Sequence, residues 1–425
     1  MQSNAKIVKR LIFNGLVEHL NVKEATILLG PRQVGKTTLM REMQKYLIEN
    51  KKIGPKNIFF FNLDILADRE IFQSQKDFIN FLRERSRNDL IYVFIDEVQR
   101  IPQSGIFIKG IYDLDLPVKL VLSGSSSLEI KNKMQESLTG RKKVFTVLPF
   151  SFEEFLDWKE YGFKEVVFQA TLLTTEELFR ANYYLNEYIV YGGYPRVVVE
   201  KDVEKKKELL EEIYSSYIEK DIVGFLKIDD SLAFSSLVKF LAAQNGQLAN
   251  VHQISKSLNL NQRTVEKYVG FLEQTFVIRK LSPFFSNAQK EIVKMPKIYF
   301  LDTGLKNLIT SDFSKFKNRA DAGAILENFI LNEMKRKLKI AERINFWRNK
   351  SGSEVDFIIR VGSEIIPMEI KIKNTDFKIE KSLRSFCAEY AIAKGYVIFS
   401  EGQVGKNDAL KINFLPAYKI PTIAL

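Results

Sequence analysis

Eight residues, Gly30-Pro31-Arg32-Gln33-Val34-Gly35-Lys36-Thr37, carry the most readily assigned chemistry in this chain, with Thr38 beside them. They fit G-x-x-x-x-G-K-[ST], the spacing at which backbone N–H groups turn inward around the β- and γ-phosphates of a nucleoside triphosphate. Lys36 is then the neutralising cation and Thr37 the hydroxyl on Mg²⁺. Further along come Asp96 and Glu97. The first is placed to hold Mg²⁺ through water, the second to polarise the water that attacks the γ-phosphate. Ser123 or Ser125 is a candidate sensor of that phosphate. Arg141 is a candidate arginine finger, acting in cis or in trans. ATP and Mg²⁺ are the expected cofactors.

A second set of chemical groups lies near the end of the chain. Glu369 and Lys371 alternate in a strand-like run, so they share one face, and Asp356 sits in the preceding run between Val355 and Phe357. Glu327 interrupts an apolar helical stripe of Ala324, Leu331 and Met334, a costly place for a charge without a partner. Together the three carboxylates would bind a second Mg²⁺ or Mn²⁺, and Lys371 would orient a water or neutralise a transition state. The tripeptide Glu-Ile-Lys alone means little, since it recurs at Glu129-Ile130-Lys131. A nuclease-derived fold kept only for binding is the competing reading.

Between these sets lies a helix-turn-helix pattern. Val251–Leu258 reads as a short helix, Asn259-Leu260-Asn261 as a turn, and Gln262 to about Thr275 as a second helix with Val265, Val269 and Leu272 on one face. Gln262, Arg263 and Lys267 would then reach DNA bases or phosphates. A spacer or protein-binding module fits the same pattern.

The elements that must position these groups follow from patterning. Thr26–Leu29 reads as a buried strand entering the first motif, and Leu90–Ile95 as a parallel strand buried on both faces, ending in Asp96-Glu97. Asn57–Asp64, Pro117–Leu122 and Val144–Leu148 supply three more strands of the same sheet. At the C-terminus a helix over about 321–338 precedes strands at Ile344–Trp347, Ser353–Arg360 and Ile365–Ile372. A helix and a last strand, Tyr396–Ser400, complete an αβββαβ order.

The runs Gly-Pro-Arg-Gln-Val-Gly-Lys-Thr-Thr, Asp-Glu-Val-Gln and Leu-Pro-Phe-Ser-Phe-Glu-Glu-Phe (148–155) resemble a prokaryotic family of AAA+-type P-loop ATPases. So do Gly192-Gly193-Tyr194-Pro195 and the segment from Trp347-Arg348 through Glu354-Val355-Asp356-Phe357. The family carries a C-terminal domain of unknown function related to restriction-endonuclease-like folds. The resemblance spans nearly the whole chain, and the family's Val-Asp variant accounts for the missing proline of a P-D motif. It implies an α/β protein: an AAA+-type core at 1–150 with a five-stranded parallel sheet, and a helical lid at 151–230. A winged-helix-like unit at 231–290 and a nuclease-like αβββαβ domain at 291–425 would follow.

Composition bounds the rest. At 425 residues the chain needs several cores, and one cysteine, Cys387, leaves no internal disulfide, so a reducing cytoplasm is the expected setting. No apolar run approaches a membrane span. The net charge of +12 divides as +8 over 1–150, −8 over 151–230, +5 over 231–290 and +7 over 291–425. A basic back half behind an acidic segment suits a polyanion, and DNA is the expected partner. A second copy of the chain or a protein partner is the other expected kind. The leading reading is an ATP-dependent, DNA-acting enzyme with a metal-dependent nuclease-like module. Its alternatives are a non-cleaving nucleotide switch, binding DNA or a protein, and a partner-activated chaperone-like machine.

Overall fold

The computed structural model describes residues 10–87, 89–125, 138–216, 230–285, 295–373, 376–392, 394–407 and 411–424. The Glu129-Ile130-Lys131 tripeptide lies outside them. The first sheet contains β1 (Ala25–Gly30), β2 (Ile58–Asn62), β3 (Ile91–Asp96), β4 (Val118–Ser125) and β5 (Lys142–Thr146), all parallel, in the order β2-β3-β4-β1-β5. Alternation along β1 and β3 explains their unbroken apolar runs. Leu28, Tyr92 and Phe94 face one core, while Ile27, Leu29, Val93 and Ile95 face another with Phe78 and Phe107.

Among the described residues β5 is followed by the helices Phe152–Lys159, Phe163–Gln169, Thr175–Tyr191, Pro195–Val199 and Val203–Tyr214. Two begin with reciprocal caps, Ser151 with Glu154 and Thr174 with Glu177. Gly192 and Gly193 end the long third helix where three segments converge. Phe150 N donates to Gly193 O at 2.7 Å, and Gly193 N donates to Asp302 Oδ2 at 2.8 Å. Burial pushes the Asp302 carboxyl up to about 6 despite that bond and one from Leu305 N. A Cβ on Gly193 would stand 2.3 Å from the Phe150 carbonyl oxygen, which is backbone and cannot rotate away. Gly193→Ala is therefore expected to destabilise the chain by about 1–3 kcal/mol or more, read as an earlier thermal or urea transition. An unchanged transition would mean the backbone yields there.

The next unit has, among the described residues, the helices Ser231–Ala243, Val251–Leu258 and Gln262–Gln274. Asn259 takes a left-handed turn at φ 52°, and Asn261 accepts from Arg263 N at 2.8 Å to cap the third helix. The strand β6 (Ile278–Leu281) pairs antiparallel with β7 (Lys297–Phe300), although β7 lies on the far side of residues 290/291 in sequence.

The C-terminal sheet has six strands, two more than the αβββαβ reading contained. They are β8 (Arg343–Arg348), β9 (Glu354–Val361), β10 (Glu364–Lys371), β11 (Gly395–Phe399), β12 (Gly405–Asn407) and β13 (Ile412–Pro416), in the order β12-β13-β11-β10-β9-β8. The Ala322–Lys337 helix packs Ile325, Phe329 and Ile330 onto Phe357, Ile359, Met368 and Ile398. The Lys381–Glu389 helix covers the opposite face with Leu383 and Phe386.

Candidate active site

The first motif sits where β1 hands over to the Lys36–Glu49 helix, an end rich in unpaired N–H groups. Gly35 caps that helix at φ 92°, a conformation only glycine adopts cheaply, and Gln33 turns at φ 59°. Lys36 is buried, its ammonium donating to the carbonyls of Gly30 at 3.0 Å and Pro31 at 2.8 Å. Phosphate oxygens arriving at the loop would compete for those donors. Thr38 is exposed on the first turn, behind Thr37.

Thr37 Oγ1 donates to Asp96 Oδ2 at 2.6 Å, joining the loop to the end of β3. The Ser123 hydroxyl, on the intervening β4, donates to Asp96 Oδ1 and accepts from Glu97 N at 3.2 Å. Ser123 thus ties the two acidic residues together. Glu97 itself is held in the left-handed region at φ 58°, ψ 48°, with its carboxylate accepting from Gln99. Strain of that kind costs of order 1–3 kcal/mol and is concentrated at functional sites.

Two arginines joined to the loop had no motif to announce them. Arg10 donates to Val34 O at 2.9 Å, Leu148 O at 2.6 Å and Glu154 Oε1 at 2.9 Å. Arg196, directly after Gly192-Gly193-Tyr194-Pro195, donates to Gln33 Oε1 at 3.1 Å and Glu212 at 2.7 Å. The position of that arginine behind a Gly-Gly-Tyr-Pro turn was the only available signal.

Arg141 must be corrected as a cis finger. Its carbonyl accepts from Ala25 N, at the start of β1, and β5 runs parallel to β1. The loop follows the other end of β1, so Arg141 lies across the sheet from its own nucleotide site. Its guanidinium pairs with Asp113 at 2.8 Å.

The C-terminal carboxylates are neighbours, each engaged by the protein. β9 and β10 pair as far as Phe357 and Met368, and Asp356 and Glu369 are the next residue on each strand. Asp356 Oδ2 accepts from Ile370 N at 2.7 Å. Lys371 pairs with Glu369 at 2.9 Å and reaches Glu380 at 3.6 Å. Glu327 accepts from the Tyr299 hydroxyl at 2.8 Å and stands 3.8 Å from Lys297, which also pairs with Glu354. Burial raises all three carboxyls, helped by repulsion from Glu354 at Glu327, from Glu380 and Glu327 at Glu369, and from Glu327 and Glu369 at Asp356, the most strongly raised. Glu369 Oε2 is buried without a hydrogen-bond partner among the described residues, as an acceptor awaiting a cation would be. The closed ligand set expected of Glu327, Asp356 and Glu369 is nevertheless not assembled. Among the described residues no three His, Cys, Asp or Glu side chains are placed to hold one ion. Lys297 and Tyr299 claim the Glu327 carboxylate. Those two share a face of β7, where Lys-Ile-Tyr-Phe alternation was the overlooked signal.

On the Gln262–Gln274 helix, Val265, Tyr268, Val269 and Leu272 are buried while Gln262, Arg263 and Lys267 are exposed. Lys267 lies 5.6 Å over the Phe271 ring. Among the described residues no helix is long and apolar enough to cross a membrane.

Residues 22–156 match the family model described as an AAA domain, and 322–419 match a domain of unknown function (DUF4143). Residues 182–325 match another domain of unknown function (DUF8612). The N-terminal part is an AAA-type P-loop module. A nucleotide with Mg²⁺ is the ligand that such a module implies, and Lys36, Thr37 and Asp96 are arranged to take it. An uncharacterized protein of Haemophilus influenzae is 26% identical over 376 residues, covering 87% of each chain. One from Methanocaldococcus jannaschii is 25% identical over 387 residues, covering 84% of this chain and 83% of the other. Among solved structures, domain III of the Thermotoga maritima replication initiation protein DnaA aligns with TM-score 0.31 and 13% identity, over 49% of this chain and 94% of that one. PCH-2 of C. elegans aligns at TM-score 0.29 and 12% identity, over 62% and 71%.

Proposed function

We propose that this chain hydrolyses ATP at the P-loop and uses its nucleotide state to control action on DNA, through a winged-helix-like unit at 231–290 and a metal-dependent nuclease-like domain at 291–425. The observation that carries the DNA reading is the juxtaposition of Asp356, Glu369 and Lys371 on adjacent strands, with an orphaned oxygen on Glu369. Glu369 and Asp356 are the groups that would hold Mg²⁺ or Mn²⁺, after Lys371 gives way. An ion bound there would supply Lewis acidity toward a phosphodiester. Lys371, released from Glu369, orients a water or neutralises charge on the phosphate. Gln262, Arg263 and Lys267 face the DNA, positioning it by phosphate contacts that weaken steeply with salt. Arg141 acts only in trans, on a second copy of the chain.

A second reading, a switch that binds DNA or a protein without cutting, is favoured by the Lys297, Tyr299 and Lys371 contacts that already occupy the carboxylates. One experiment separates the two. Pure protein is incubated with linear, single-stranded and branched DNA in Mg²⁺ or Mn²⁺, with and without ATP, beside Lys371→Ala and Lys36→Ala. Cutting that vanishes in Lys371→Ala is the expected result, with loss in Lys36→Ala marking control by ATP. ATP hydrolysis without cutting under any condition would leave the switch.

A further inference from the structure

A cavity of about 380 Å³ lies at the end of β5, lined by Thr146, Leu148 and Glu154 among others, and Arg10 of its lining is bonded to Val34 O of the P-loop. That volume is within the range of small-molecule sites, roughly 300–1,000 Å³. Leu11, Ile12 and Leu148 give it an apolar wall, and Arg10, Lys335 and Arg336 give it a cationic one. Arg10 joins it to the loop through its bond to Val34 O. The last two cations come from the far end of the chain, on the Ala322–Lys337 helix.

The direction of a bound nucleotide follows from the sheet order. Asp96, Glu97 and Ser123, the groups for Mg²⁺ and the attacking water, lie on the β3 and β4 side of β1. The γ-phosphate must point toward them. The ribose and α-phosphate then leave the loop on the other side, toward β5 and the cavity. Lys335 is half-buried there and makes no hydrogen bond or ion pair among the described residues. Its neighbours are already engaged: Arg10 by Glu154, and Arg336 by Glu333 at 3.5 Å.

We propose that Lys335 is a direct contact to the ribose–α-phosphate end of the nucleotide, so that a helix of the C-terminal region forms one wall of the ATP site. The inference rests on the reading that the P-loop binds ATP. Its consequence is mechanical. The helix that would grip the nucleotide through Lys335 also carries Glu327 two turns away, and Phe152 N donates to Glu333 of the same helix at 3.2 Å. Nucleotide arrival and the carboxylate cluster therefore share one rigid element.

Charge supports the assignment. Burial, with Arg279 of β6 nearby, lowers the Lys335 amine to about 8. The charged groups around it are Arg10, Glu154, Glu333, Arg336 and Arg279, of which Glu333, pushed up to about 7 by burial, titrates nearest. An incoming phosphate favours the ammonium, so at pH 8.5 binding takes up protons at Lys335 while Glu333 is already largely ionised.

The test is calorimetric titration of Mg·ADP into the full chain, comparing wild type, Lys335→Ala, Lys335→Arg and Lys36→Ala. Lys335→Ala is expected to bind ADP about tenfold more weakly or worse, with Lys335→Arg close to wild type, as loss of a charge-assisted bond predicts. Repeating it at pH 8.5 in two buffers of different ionisation enthalpy should reveal proton uptake that Lys335→Ala lacks. Removing an unpaired cation should not unfold the chain, and thermal melts of both variants check this. Equal ADP affinity in wild type and Lys335→Ala overturns the inference alone. No ADP binding by the wild-type chain overturns the P-loop reading and this inference with it.

Discussion

Glu97→Gln is expected to bind ATP as the unaltered chain does and to hydrolyse it 10²- to 10⁴-fold more slowly, the usual contribution of a positioned general base. The geometry separates the two effects. Binding depends on Lys36, the loop N–H groups and Thr37, none of which touches the Glu97 carboxylate. Glu97 is anchored through its backbone, by the bond from its N–H to Ser123 Oγ and by its left-handed turn, so glutamine keeps the position and loses only the basicity. Lys36→Ala should show the opposite pattern, with binding itself lost. Phosphate release beside nucleotide titration distinguishes them. Wild-type turnover in Glu97→Gln would move the base to another residue, and equal binding in Lys36→Ala would remove the loop from the site.

The difference between what patterning revealed and what it hid has a physical cause. A parallel strand buried on both faces must be apolar throughout, so Ile91–Asp96 announced itself, and the acidic pair at its end followed. Asn261 was legible for the same local reason, because a cap acts within three residues. Arg10 was not, since its partner Glu154 is 144 residues away and only the closed fold brings them together. The pairing of β6 with β7 escaped likewise, because it crosses an intervening segment instead of a tight turn. Arg141 is a different case. The strand direction was deducible, as β5 must run parallel to β1, and its start therefore had to lie opposite the P-loop. β12 (Gly-Lys-Asn) and β13 (Ile-Asn-Phe-Leu-Pro) are too short to show a strand period, and they gain their place by pairing outward from β11. In the carboxylate cluster, spacing placed Glu369 with Lys371 correctly, while Lys297 and Tyr299 arrive from β7, outside the αβββαβ run, and change what Glu327 does.

Asp356→Asn is expected to raise the melting temperature of the metal-free protein by several degrees at pH 8, and to abolish any stabilisation by Mn²⁺. The reason lies in the sign of the electrostatics. Asp356 is half-buried, faces two other carboxylates, and has one bond from Ile370 N, which asparagine Oδ1 can also accept. Its carboxyl is held well above the usual range in the folded state, against about 3.9 in an unfolded chain. The stability contributed by the protonated form is therefore complete below about pH 4 and is lost as pH rises through the folded value. Melts of the unaltered chain without metal should weaken over that rise, and those of Asp356→Asn should be flatter. A divalent cation reverses the preference, because it rewards the ionised carboxylate that the empty cluster penalises. Mn²⁺ should accordingly stabilise the wild type most at high pH and leave Asp356→Asn unmoved. If Mn²⁺ leaves both proteins unmoved while Asp356→Asn is still the more stable, the carboxylates are held by Lys297, Lys371 and Tyr299 for good, and the non-cutting switch is the reading that survives.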